Sequence, residues 1–284
     1  MNWVFLVIIS AFTSSLTRIF QKVLLKDKDS DPFAFGFIFQ ITVAFLFLLY
    51  TLITNTLIIP NLSGLTINLI VMTLFYSLGN FFTFKAFKTA EASEVSIIFT
   101  SSTVWSVIAA LFMLGEKLTM NKIIGILLVV LGVIAVNYSK TSWKINKGHL
   151  FALLGALLSG IAFTNDAFII NRFQSIPSYM IIAFAVPAIN TLLYSPKSIK
   201  KIAYYFNPNI LFRLLICSFF YALSAISIFE AYKRGGEASV ISPIQQSSII
   251  FTVIIGYIFL RETNRLPNKL LGMTLTFLGV LFLI

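Results

Sequence analysis

Two stretches of the chain carry the same polar punctuation. FKAFKTAEASEVSIIFTSS runs from Phe84 to Ser102, and FEAYKRGGEASVISPIQQSS runs from Phe229 to Ser248. Phe84, Ala86 and Lys88 return as Phe229, Ala231 and Lys233. After one inserted residue, Glu91, Ala92, Ser93, Ser96, Ile98, Ser101 and Ser102 return as Glu237, Ala238, Ser239, Ser242, Ile244, Ser247 and Ser248. Glu116 returns as Glu262, and NKIIG with Gly125 and Gly132 returns as NKLLG with Gly272 and Gly279. Apolar helices resemble one another by chance, but chance does not keep polar breaks in order. The pattern is an internal duplication.

What is duplicated is strongly apolar. Of 284 residues, 58% are hydrophobic and only 11% are charged, where a soluble domain needs about 25% charged residues to cover its surface. The outer surface therefore faces lipid. In such a chain the net charge of +11 reports membrane topology rather than nucleic-acid binding. The single cysteine, Cys217, excludes an internal disulfide and a cysteine metal cluster. The first segment has no basic start and is interrupted by Arg18, so it reads as a span and not as a cleaved signal peptide.

A span needs roughly 20 mainly apolar residues. Ten candidates appear, at about 3–25, 33–54, 65–87, 94–114, 121–138, 149–171, 178–195, 209–232, 238–260 and 267–284. The runs are too long and continuous for barrel strands. The duplication divides them five plus five, with a seam between Thr141 and Asn146, giving repeats at 1–143 and 144–284. Because five is odd, the second repeat enters the membrane inverted. The expected fold is an all-α membrane protein of ten transmembrane helices in two inverted five-helix repeats, an architecture many secondary carriers use.

Loops 1–2, 3–4, 5–6, 7–8 and 9–10 hold fifteen Lys and Arg residues, and the opposite side holds five. The positive-inside rule places the first group in the cytoplasm and both termini outside.

Enzyme signatures are missing. The only histidine, His149, begins span 6, where it reads as an interfacial, solvated residue. No zinc-protease motif, phosphate loop or paired CxxC occurs, so no cofactor or metal is expected. Charges inside spans are the sharper signal, since each costs roughly 2.5–3.5 kcal/mol at mid-membrane. Arg18 lies fifteen residues into span 1, and Asp166 lies seventeen into span 6. The spans run antiparallel, so the two lie on opposite sides of the midplane. Two gate-like pairs are expected instead: Arg18 with Glu91 or Glu94, and Asp166 with Lys233 or Arg234. Alternatively, each charge glues helices together or snorkels. Should desolvation dominate at Asp166, it would take up a proton and couple transport to a proton gradient.

Polar side chains at Ser101, Ser102, Gln245 and Gln246 on spans 4 and 9, with Trp105 and with Asn80 on span 3, either bond neighbouring helices or line a wet cavity. Gly125, Gly132, Gly272 and Gly279 recur every seven residues, on one face of spans 5 and 10. Close helix packing explains them, either between the two halves or across a homodimer.

The ten-span layout, the paired EAS…SS segments and the GEKL of Gly115 to Leu118 resemble the drug/metabolite transporter superfamily, and within it the EamA-type permeases. The resemblance covers the whole chain. It implies a pocket drawn from spans 1, 3, 4, 6, 8 and 9, which makes Asn165, beside Asp166, the best single substrate contact. It also implies termini on the inside, against the charge count. In the superfamily a proline often kinks spans 4 and 9, where this chain has Thr103 and Ile249. The function expected is a secondary carrier in the plasma membrane, the inner membrane in a prokaryote. It would move a small metabolite by alternating access, in export or exchange. Multidrug efflux and a non-transporting membrane scaffold are the alternatives.

Overall fold

The computed structural model describes residues 3–58, 64–113, 119–137, 146–170, 175–234, 245 and 248–283. Among these there is helix and no strand. In chain order the helices are α1 (Trp3–Leu25), α2 (Pro32–Ile53), α3 (Thr66–Thr89), α4 (Ala92–Phe99), α5 (Ser102–Met113) and α6 (Met120–Asn137). Then follow α7 (Lys147–Ile170), α8 (Ile176–Tyr194), a 3-10 helix (Pro196–Phe206), α9 (Pro208–Lys233), α10 (Ser248–Leu260) and α11 (Leu266–Leu283). Seven segments are long and apolar enough to cross a membrane: α1, α2, α3, α4 with α5, α7, α8 and α9. Within the expected spans 5, 9 and 10 the described residues form the apolar helices α6, α10 and α11, most of 238–247 in span 9 lying outside the described residues.

Local chemistry sets the boundaries. Asp31 caps α2, accepting from the Phe33 and Ala34 amides at 3.0 and 2.9 Å, with Pro32 pre-set at the first helical position. Ser175 caps α8 in the same way. Span 4, which reads as one helix, breaks at Thr100–Ser101. No proline is needed. The Thr100 hydroxyl bonds back to the Ser96 carbonyl at 3.0 Å, and the Thr100 and Thr103 amides donate to Ile97 and Thr100 in tight three-residue turns. Such hydroxyls compete with the helix ladder and bend it. The 3-10 helix was not apparent in the sequence, where Pro196 reads only as a break. It is held by buried Tyr205, whose ring meets Phe35 and whose hydroxyl donates to the Asp31 carbonyl at 3.3 Å.

The dominant helix contacts are α1 on α9, α2 on α8, α3 on α7 and α6 on α11. An aromatic chain joins α2, α3, α8 and α9: Phe84 meets Phe35 and Phe39 edge-on, and Tyr221 meets Phe39 and Phe184 at 5.3 and 5.4 Å. The α6–α11 contact is backbone on backbone. A Cβ at Gly132 would sit 2.8 Å from the Gly272 carbonyl, and one at Gly279 would sit 2.7 Å from the Gly125 carbonyl. The glycine faces are thus spent on each other within the chain. Of the two contacts the glycines allowed, this is the one between the halves.

The ends of α1 and α3 meet at one end of the bundle, and the residues after α2 meet the start of α8 at the other. At one end, the Lys88 ammonium reaches Ser30 beyond α1, and Lys22 donates to the Phe87 and Ala90 carbonyls at the end of α3. At the other, the Ile58 amide donates to Ser178, and Ser175 donates to the Thr56 carbonyl.

Candidate functional site

A cavity of about 440 Å³ lies between the helices. Its lining follows helical spacing. From α1 come Ser10, Ser14, Thr17, Arg18 and Gln21; from α3, Tyr76, Asn80, Thr83, Phe84 and Phe87; and from α7, Ser159, Phe163, Asp166 and Ile170. α9 adds Tyr221 and Ser224, the α4–α5 break adds Phe99, Ser102, Thr103 and Ser106, and Gln245 closes the wall. These elements occupy spans 1, 3, 4, 6, 8 and 9, with Phe39 of α2 and Phe184 of α8 filling the gaps. The wall combines hydroxyls with rings, which suits a solute that is polar at one end and apolar along its body.

Among the described residues, two charges face the cavity, Arg18 and Asp166. Asp166 accepts a hydrogen bond on each carboxylate oxygen, from the Tyr179 hydroxyl of α8 and the Tyr76 hydroxyl of α3. One carboxylate therefore ties three helices together. Arg18 is treated differently. Its guanidinium lies 5.9 Å from the Phe99 ring centroid, and Nη1, though buried, has no hydrogen-bond partner.

The expected gate pairs are not what the side chains form. Glu94 bonds His149 at 3.1 Å, and Glu91 bonds Lys269 and Asn264, so neither carboxylate meets Arg18. Arg234 lies 3.8 Å from Glu230 on its own helix, while Asp166 is held by the tyrosines. Gln246 and the Lys233 side chain lie outside the described residues. His149 is not solvated: it is 1% exposed and packed between Glu94 and Asn146.

These groups belong to a charged layer at one end of the bundle. Glu262, 6% exposed, accepts the Ala92 and Ser93 amides at 2.7 and 3.1 Å and the Ser93 hydroxyl as well. It thereby caps the otherwise bare N-terminus of α4. Buried Lys269 lies 3.9 Å from Glu262 and bonds Glu91. The layer joins the start of α4 to the turn between α10 and α11. It rims a second, more open cavity that Lys22, Lys26, Lys88 and Arg265 also line.

Of the expected substrate contacts, Asn80, Ser102, Asp166 and Gln245 line the central cavity. Ser101 and Trp105 stand outside its lining, Trp105 backing onto Gly160 of α7. Asn165 faces the other way: it is fully buried and exchanges two hydrogen bonds with Asn68 of α3, at 2.7 and 2.9 Å. A helix turns by about 100° per residue, so neighbours in sequence face different partners. Missed from sequence were the α1 hydroxyl stripe and the two tyrosines. The stripe was detectable, since Ser10, Ser14, Thr17 and Gln21 keep three- and four-residue spacing.

Among solved structures, one described only as the crystal structure of a protein superposes with a TM-score of 0.64 at 12% identity, covering 99% of this chain and 94% of that one. The likeness is one of fold. No curated protein matches the chain. The model of the EamA-like transporter family matches twice, over residues 1–138 and again over 146–284. With both matches together spanning nearly all of the sequence, the chain belongs to the EamA-like transporter family, within the drug/metabolite transporter superfamily, and is a multi-pass membrane protein.

Proposed function

We propose that the chain is a secondary carrier that moves a small metabolite by alternating access, in export or exchange, through the central cavity. One observation carries this reading: a cavity with half-buried Arg18 and buried Asp166 in its wall lies inside the bundle, and a charged layer drawn from both halves lies across one end. The inverted five-plus-five arrangement is supported by the helix pairings. Exchange each helix of the first half with its repeat mate, and α1–α9 becomes α3–α7, while α2–α8 and α6–α11 map onto themselves. The double family match supports a seam near residue 143. Two inverted halves around one site provide two equivalent closures, which alternating access requires. With no nucleotide motif in the sequence, the energy source is a gradient. Asp166 is the carboxylate placed to couple a proton to it.

The carrier is tested by counterflow. Proteoliposomes loaded with an unlabelled solute are expected to accumulate the labelled form transiently, with saturation, across at least one member of a panel of carboxylates, amines and sugars. Simple equilibration for every solute would leave the scaffold. Of the other readings, multidrug efflux has the aromatic wall in its favour and the uncompensated Arg18 charge against it.

Orientation follows from the charge bias. In a Cys217→Ser background, a cysteine at exposed Thr54 is expected to react with an impermeant maleimide in intact cells, and one at exposed Lys200 to be protected. The reverse pattern would put both termini inside.

A further inference from the structure

Among the described residues, the Arg18 guanidinium meets the Phe99 ring but no carboxylate. Lys22, one turn further along α1, is tied to the Phe87 and Ala90 carbonyls. Arg18 makes no ion pair among the described residues, and its buried Nη1 is unbonded. Among the described residues, the carboxylates of the bundle are committed elsewhere: Glu91 to Lys269, Glu94 to His149, Glu230 to Arg234, Glu262 to the α4 amides and Asp166 to two tyrosines. A guanidinium keeps its charge at any working pH, and holding one inside a bilayer-spanning bundle is costly. Arg18 lines the central cavity, where an entering solute could supply the acceptor that Nη1 lacks.

We propose that Arg18 is the recognition site for the carboxylate of the transported solute, and that this solute is a monoanion with an apolar or aromatic body. The proposal deepens the carrier reading and rests on it for the word "transported". The planar guanidinium fork matches a carboxylate with two parallel hydrogen bonds. A single charge is favoured because, among the described residues, the cavity wall holds one cation without an ion pair, Arg18, and one anion, Asp166. A phosphate monoester would bring about −1.5 to −2 into a space that already contains Asp166. The body is set by the rings of Phe39, Phe84, Phe99, Phe184 and Tyr221, in a volume within the range of small-molecule sites. Organic cations would meet the guanidinium's repulsion across the cavity.

The test holds the ring constant and varies the head group. Thermal unfolding of the purified protein is followed with phenylacetate, phenylacetamide, 2-phenylethylamine and phenyl phosphate. Phenylacetate is expected to stabilise most, with phenyl phosphate weaker and the amide and amine without effect. Arg18→Gln is expected to weaken phenylacetate binding by about tenfold or more, and Arg18→Lys by less, since the charge remains while the fork is lost. If Arg18→Gln does not fold, the wild-type head-group series decides alone. Equal stabilisation by the amide or the amine, tighter binding of phenyl phosphate, or no response to phenylacetate at millimolar concentration overturns the proposal. Counterflow separates the two readings. Transport of the amine but not the acid overturns the Arg18 assignment and keeps the carrier. Arg18-dependent binding of phenylacetate in a protein that shows no counterflow of any solute keeps the Arg18 site and overturns the carrier.

Discussion

Glu262→Ala is expected to be among the most destabilising single substitutions in this chain. The carboxylate accepts two backbone amides and a hydroxyl at the start of α4 and stands 3.9 Å from Lys269, whose side chain is 1% exposed. Removing it leaves the first-turn donors without an acceptor and takes away one of the two carboxylates near a buried ammonium. Breaking a buried pair from one side costs about 3–5 kcal/mol. Glu91→Ala provides the control. It also takes a partner from Lys269, but Glu91 is partly exposed and caps nothing, and Lys269 keeps Glu262. The measurement is the thermal unfolding midpoint of each purified variant. Glu262→Ala should fall well below Glu91→Ala, and Glu262→Gln should lie between, retaining an acceptor but no charge. Equal midpoints for the two alanine variants would show that the α4 cap contributes nothing.

In the carrier proposed above, this contact helps to close one end of the bundle. Glu262 belongs to the second half and the α4 amides to the first, so the bond crosses the interface that would have to part for the cavity to open there. Lys22 on the α3 carbonyls and His149 on Glu94 add two more ties in the same layer.

The sequence exposes the features that repeat and hides those that depend on depth and direction. The duplication, the helical class and the stripe of glycines on α6 and α11 are periodic, and periodicity survives in one dimension. Glu262 was visible only as the repeat mate of Glu116, because the amides it caps lie about 170 residues away. His149 and Glu94 are 55 residues apart and meet only because α7 returns beside α4. Arg18 and Asp166 stood out as charges in apolar runs, but Glu91 and Glu94 bond other residues than Arg18, and two tyrosines hold Asp166. Sequence distance to a loop ranks what lies nearby without saying which way a side chain turns. Asn165 shows the same limit most sharply, since one residue separates a cavity-lining carboxylate from an amide buried against α3. The α4–α5 break escaped notice because proline was taken as the kink signal, whereas a run of hydroxyls bends this helix.

Asp166→Asn is expected to abolish uphill transport and spare exchange. The carboxylate is 7% exposed, lines the cavity and receives two tyrosine hydroxyls, with no cation within ion-pair distance among the described residues. A group so placed can gain or lose a proton while the tyrosines hold its position, because each hydroxyl can rotate and act as donor or acceptor. Asparagine preserves the size and one acceptor but cannot carry the proton. In proteoliposomes, accumulation driven by an imposed pH gradient should therefore fall by at least about tenfold, while counterflow with no gradient stays close to wild type and loses its pH dependence. Asp166→Ala should do more damage, since two buried hydroxyls lose their acceptor, at about 1–3 kcal/mol each; exchange should then fail as well. Tyr76→Phe and Tyr179→Phe separate position from proton. Each removes one bond to the carboxylate, so each should slow exchange and leave some gradient-driven uptake. If Asp166→Asn accumulates solute against its gradient as well as wild type does, the proton takes another route and Asp166 is a tether between α3, α7 and α8.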